Sequence, residues 1–273
     1  NFQMSSRLTL LLLFHLTCTL GSQRQRVEFN GTATPSKVEK QCIKHAPPTL
    51  DRSLRSVLCL GVAPESVREP GKCAYAALRS GNGALSPDNT VLLCQQAESK
   101  APAECARSAS WRLLSGIERA KLCRRSTSST QPAKCADKVL RFHASGAATT
   151  ALCARATSQA PSSCFERVWR VRSRLGKWLK SPDTVAELCT DKKKDRRKRH
   201  IDPASCALSL STKLIRTMSP QYLMQLCRGA TNEAPSRCLT SLMVGSGYLA
   251  RSLPLETAVH LCSTAESDGP AEC

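Results

Sequence analysis

Aromatic side chains are scarce in this chain. Phe, Trp and Tyr make up 4% of 273 residues, so any core has to be filled by small aliphatic side chains and sulfur. Acid is scarce as well, with 21 Asp and Glu against 40 Lys and Arg, a formal net charge of +19. A hydrophobic content of 41% is nevertheless too high for a chain that stays disordered. Long apolar runs are missing: Leu8 to Leu20, about 13 residues, falls short of the roughly 20 needed to cross a bilayer as a helix. Catalytic signatures are missing too. There is no H-E-x-x-H and no P-loop, and Gly245-Ser246-Gly247 lacks the nucleophile-elbow spacing. The five histidines (His15, His45, His143, His200, His260) share no ligand spacing, and His260 beside Leu261 reads as ordinary helix surface. Without a C-x-x-C pair a zinc site is not expected either. The expectation is a protein that is not an enzyme, with no cofactor and no metal.

What is present begins at Met4. Arg7, the apolar run to Leu20 and then Thr19 and Gly21 before Ser22 form the pattern of a secretory signal peptide over 4–21. Asn1 to Gln3 precede the methionine and read as leader sequence. A polar segment, 22–41, follows, and then a cysteine-rich array over 42–273. Entry into the secretory route makes disulfides the default for its cysteines and gives a secreted, extracellular protein with no membrane span in the mature chain. Asn30-Gly31-Thr32 is the one N-x-S/T sequon, which marks Asn30 as a glycosylation candidate.

Seven cysteine pairs carry a repeat: Cys59/Cys73, Cys94/Cys105, Cys123/Cys135, Cys153/Cys164, Cys189/Cys206, Cys227/Cys238 and Cys262/Cys273. The first member always follows a leucine, and the second always lies three residues after a proline. From first cysteine to first cysteine the period runs between 29 and 38 residues, within the range of helical solenoids. Ser86-Pro87-Asp88, Ser181-Pro182-Asp183 and Ser219-Pro220 place a hydroxyl at an N-cap and proline in the first turn, and so start a first helix, A. A second helix, B, opens at P-x-x-C, because proline is tolerated only in an opening turn. The resulting fold class is all-α, an α-solenoid-like array of disulfide-stapled antiparallel helical hairpins. In general form it resembles tetratricopeptide and HEAT-like solenoids, but the Trp, Gly and Tyr positions of the tetratricopeptide pattern are missing.

Cysteines near the end of A and one turn into B favour a bridge inside each pair. The alternative, B of one unit to A of the next, has spacings of 18 to 25 and stays open on sequence alone. Pairing inside the units leaves Cys42 over, as a free thiol or a link to another molecule in an oligomer. Because the chain stops on the second cysteine of the last pair, the expectation is also a fragment of a longer array.

One local feature points to function. Lys192, Lys193, Lys194, Arg196, Arg197, Lys198 and Arg199 crowd the longest loop between paired cysteines. Upstream, Arg167, Arg170, Arg174 and Lys177 recur at helical spacing, opposite part of the apolar face formed by Val168, Val171, Leu175 and Trp178. A basic stripe beside a basic loop is a candidate polyanion site; the plainer reading is a solvated face and a solubilising loop. The expected partner is an anionic glycan or an extracellular protein. No interleaved aromatics support sequence-specific nucleic acid recognition. Arg196-Arg197-Lys198-Arg199 also resembles a multibasic convertase site, so a proprotein that releases a cationic fragment is one alternative. A purely structural extracellular or wall protein is the other.

Overall fold

Proline and serine set where the helices begin, and cysteine marks where half of them end. The computed structural model describes residues 35–79, 84–110, 112–172, 179, 181–190, 202–210, 212–244 and 253–266. The signal peptide, Ser22 to Thr34 and Asn30 lie outside them. In chain order the helices are α1 (Lys37–His45), α2 (Arg52–Cys59), α3 (Glu69–Leu78), α4 (Pro87–Cys94), α5 (Ala101–Ser108), α6 (Gly116–Cys123), α7 (Gln131–Leu140) and α8 (Gly146–Cys153). They continue with α9 (Ala160–Val171), α10 (Pro182–Cys189), α11 (Pro203–Ser209), α12 (Thr212–Thr217), α13 (Pro220–Cys227), α14 (Ala234–Val244) and α15 (Leu255–Cys262). Among the described residues all of this regular structure is helical.

The A helices are α2, α4, α6, α8, α10, α13 and α15. Each spans eight residues and ends on its cysteine. Ser86, Ser115, Ser145 and Ser219 accept the N–H three residues ahead, which relieves one of the amides a helix start leaves unpaired. Asp51 does the same for α2. The B helices α5, α7 and α9 carry proline in the first turn and no side-chain bond from the N-cap residue itself. Instead Ser99, Ser128 and Ser158 accept the first helical N–H from just upstream, and Asn232 does so for α14. These serines are a start signal that the proline pattern alone does not reveal.

Two layers result. B helices stack on B helices (α1, α3, α5, α7, α9, α11 and α14 in turn), while α2, α4, α6, α8 and α10 stack in the other layer, as do α13 and α15. The core runs between the layers. The leucine before each A cysteine is buried in six units (Leu58, Leu93, Leu122, Leu152, Leu188, Leu226), each stabilising by about 2 kcal/mol, while Leu261 is exposed. After the B cysteine stands a buried alanine (Ala74, Ala106, Ala136, Ala207), small enough for helices to approach closely. Phe165 fills that position in α9 and stacks on Trp169 with ring centroids 6.0 Å apart, with Phe142 at 5.7 Å. Phe142, Phe165 and Trp169 thus gather where phenylalanine replaces the alanine. One close approach depends on glycine: a Cβ on Gly71 of α3 would stand 2.3 Å from the His45 carbonyl oxygen.

The seven disulfides follow the second connectivity, not the pairing inside units. Cys42–Cys59, Cys73–Cys94, Cys105–Cys123, Cys135–Cys153, Cys164–Cys189, Cys206–Cys227 and Cys238–Cys262 join each B helix to the following A helix, with Cα atoms 5.5–5.9 Å apart. The expected bridges Cys59/Cys73, Cys94/Cys105, Cys123/Cys135, Cys153/Cys164, Cys189/Cys206, Cys227/Cys238 and Cys262/Cys273 are thereby excluded, since each sulfur bonds once. The cause is packing. A B helix lies along the A helix that follows it, whereas contact between A and the next B is sparser across the turn that joins them. Entropy does not decide the matter: closing 18 residues instead of 11 changes the chain-entropy gain by only about 0.4 kcal/mol. The hairpin is therefore B–loop–A. Cys42, expected to be free or intermolecular, sits in a B helix and is bonded to Cys59, so it offers no thiol to a second chain. Cys273, the cysteine this shift leaves over, lies outside the described residues.

Candidate polyanion-binding surface

Every A helix has to hand the chain back to a B helix, and the way it does so builds a surface. One residue past the cysteine, the N–H of Gln95, Arg124, Ala154 and Arg228 bonds four residues back into the helix. The next residue has positive φ: Gly61 (67°), Gln96 (59°), Arg125 (57°), Arg155 (61°) and Gly229 (79°). One further on, the N–H of Val62, Ala97, Ser126, Ala156 and Ala230 returns to the cysteine carbonyl at 2.9–3.3 Å. These last side chains are buried, so the turn is pinned to the core. Glycine adopts positive φ freely, whereas for Gln and Arg it costs of order 1 kcal/mol. The motif C-x-[GQR]-[AVS] carries it in the sequence, but Gln and Arg do not advertise a left-handed backbone.

Successive turns lie side by side in register. The Arg124 guanidinium donates to Gln95 Oε1 at 3.0 Å, and that of Arg125 donates to Gln96, so cap position meets cap position and left-handed position meets left-handed position one repeat on. At the start of the series a Cβ on Gly61 would lie 3.3 Å from Gln96 Nε2. Burial, together with the charges of Arg125 and Arg155, lowers the pKa of Arg124 from its ordinary value. Among the described residues no carboxylate lies within ion-pair distance of Arg124, Arg125 or Arg155. Between two turns opens a cleft of about 500 Å³ lined by Gln96, Glu98, Ser99, Pro102, Arg125, Ser126 and Thr127.

The basic face expected on α9 is differently placed. Arg167 binds Asp202 at 2.9 Å and donates to the Ser205 hydroxyl, while Arg170 and Lys138 of α7 share Glu166 at 2.5 and 3.3 Å. Burial alone would raise the Asp202 pKa, but hydrogen bonds from Ser205 and Arg167 outweigh it and hold the carboxyl below its usual range. The Lys138 hydrogen bond, with the Arg170 charge, lowers Glu166 likewise. Arg167 and Arg170 are thus partly neutralised, and their exposure, 48% and 72%, keeps these pairs weak. Val168 is buried as the helical spacing requires. Arg174, Leu175, Lys177 and Trp178 lie outside the described residues, as do Lys192, Lys193, Lys194, Arg196, Arg197, Lys198 and Arg199.

Among the described residues no group of three His, Cys, Asp or Glu side chains is placed to hold a metal ion, and no helix is long and apolar enough to cross a membrane. No protein-family model, curated protein or solved structure matches the chain. What is established is therefore the architecture: a cysteine-rich, all-α repeat array with one disulfide in each helical hairpin.

Proposed function

We propose that the chain works outside the cell as a binding module for linear anionic glycans, with no catalysis of its own. The observation that carries this reading is charge. Forty Lys and Arg stand against 21 Asp and Glu, and carboxylates such as Glu69, Glu166, Glu187 and Asp202 are already engaged by basic side chains of the same chain. A surplus of this size raises the local concentration of polyanions, and counterion release makes such binding strong at low salt. Seven disulfides and the signal-peptide pattern support an extracellular setting.

Retention on a heparin resin tests the reading. The wild-type chain should elute late and lose affinity steeply with salt, since each phosphate- or sulfate-type contact releases counterions. Replacing Lys192, Lys193, Lys194, Arg196, Arg197, Lys198 and Arg199 by neutral residues should advance elution without changing helix content. A chain that passes heparin at low salt is a structural protein instead, a role that one bridge per hairpin would also suit.

A further inference from the structure

We infer that the ridge formed by the turns after α4, α6 and α8 is a contact site for the sulfate groups of a linear sulfated polysaccharide, with Arg124, Arg125 and Arg155 as its anion-binding side chains. This rests on the polyanion reading above and places the contact somewhere the sequence does not point. Arg124, Arg125 and Arg155 come from two different turns, yet the Arg124–Gln95 and Arg125–Gln96 bonds hold the turns in register. Their charges converge with no carboxylate partner among the described residues, and the Arg124 Nε is buried with no hydrogen-bond partner. Such a cluster repels itself until an anion arrives. The one acid of the cleft, Glu98, is exposed and followed two residues on by Lys100 at the N-cap of α5.

Two features select the ligand class. Stacked helices lie ~8–10 Å apart, so Arg125 and Arg155, at equivalent turn positions, recur at that interval, which suits a chain of repeated charges better than a single ion. None of the residues lining the cleft is aromatic, which removes the stacking platform that single-stranded nucleic acids use. Instead Gln96, Ser99, Ser126 and Thr127 offer amide and hydroxyl groups to sugar hydroxyls.

The backbone gives a second argument. Two turns of the series use glycine at the left-handed position, so the fold accepts glycine there. Arg125 and Arg155 adopt a conformation that arginine disfavours, and a strained side chain at a position where glycine also serves points to a use of that side chain beyond the turn itself.

The test is a titration of the full, disulfide-bonded chain with a size-defined heparin oligosaccharide at several salt concentrations. The double variant Arg125→Gly/Arg155→Gly should keep a thermal midpoint near that of the wild type, because relief at the left-handed positions offsets the lost Arg125–Gln96 bond, yet bind at least tenfold more weakly with a salt slope shallower by about 1.5 to 2. Arg125→Gln/Arg155→Gln, which copies native Gln96, provides the same charge loss should glycine loosen the turns. Unchanged affinity in both variants while the wild type binds would overturn this inference and leave the polyanion reading to the 192–199 loop. Failure of the wild type to bind at all would overturn both. Tighter binding of single-stranded DNA of equal charge, not displaced by heparin, would mean the ligand class is wrong.

Discussion

After α4, α6 and α8 the chain reverses through residues 95–100, 124–130 and 154–159, each time by way of a left-handed Gln or Arg and a buried Ala or Ser. After α10 the same reversal takes residues 190–202, and Lys192 stands where the buried small residue stands elsewhere. The short turns are held by their own backbone. The long connection is held at its ends by side chains and neighbours: Thr190 Oγ1 donates to the Ala186 carbonyl at 2.8 Å, and the Asp202 N–H donates to the Ala230 carbonyl in the next turn at 2.7 Å. Asp202 also caps α11 through the Ser205 N–H and receives Arg167 from α9. Lateral contacts between repeats thus fix where the helix after the long connection begins.

Both kinds of connection run from an A helix to the next B helix, outside every bridged ring, so a cut in the long one has its opposite in a cut inside a hairpin. Cleavage after Arg199 falls between Cys164–Cys189 and Cys206–Cys227, so no bridge among the described residues spans it, and a denaturing gel without reductant should show two species. Cleavage in 109–115, between α5 and α6, should leave one unreduced species joined by Cys105–Cys123. A single unreduced band after the cut at Arg199 would restore the pairing inside units.

Removing bridges tests whether the long connection weakens its neighbourhood. Cys135→Ser/Cys153→Ser should lower unfolding free energy by about 3 kcal/mol in denaturant titration. The Cys164–Cys189 bridge closes 25 residues instead of 18, so Cys164→Ser/Cys189→Ser should cost only about 0.3 kcal/mol more in the same model. A loss more than twofold larger at the second site would show that the array leans more on its bridge beside the long connection.

Asp202 sharpens the comparison by pH. Its folded pKa is lowered, so its contribution is fully present above the unfolded value of ~3.9 and is lost as pH falls through the folded value. Asp202→Ala should cost about 1 kcal/mol at pH 7 through loss of the cap. Asp202→Asn, which can still cap, should lose less and flatten stability against pH below ~4. The smallest effect is at the one serine N-cap of an A helix that makes no cap bond, Ser181, set against Ser115. Ser115→Ala should cost about 1 kcal/mol, because Ser115 accepts the Glu118 N–H and Glu118 bonds back to the Ser115 N–H. Ser181 makes no such bond, so Ser181→Ala should stay within about 0.5 kcal/mol of wild type by thermal melting.

Helix starts were legible because proline and serine act locally: Ser86-Pro87 and Ser219-Pro220 begin helices as their chemistry dictates. Bridge partners were not, because both sets of spacings are reachable, and the choice depends on which neighbour a helix lies along. The same limit hid the arginine ridge. Lys192 to Arg199 are adjacent in sequence and announce themselves, whereas Arg125 and Arg155 are 30 residues apart and meet only through the register of stacked turns. Cys42 was misplaced by that shift of one helix: α1 starts at Lys37, capped by Ser36, and belongs to the B layer.

The order of the seven bridges also bears on how the chain is made. Each covalent ring closes on residues 17 to 25 apart and is complete before the next begins, so no ring encloses or threads another. A chain emerging from its N-terminal end can oxidise one hairpin at a time, each cysteine meeting its partner as the first one still unbonded. Short loops close in well under a microsecond, and sequential pairing avoids the slow reshuffling that distant partners impose. With local contacts first and stacking after, fourteen thiols reach one pairing out of many without a search.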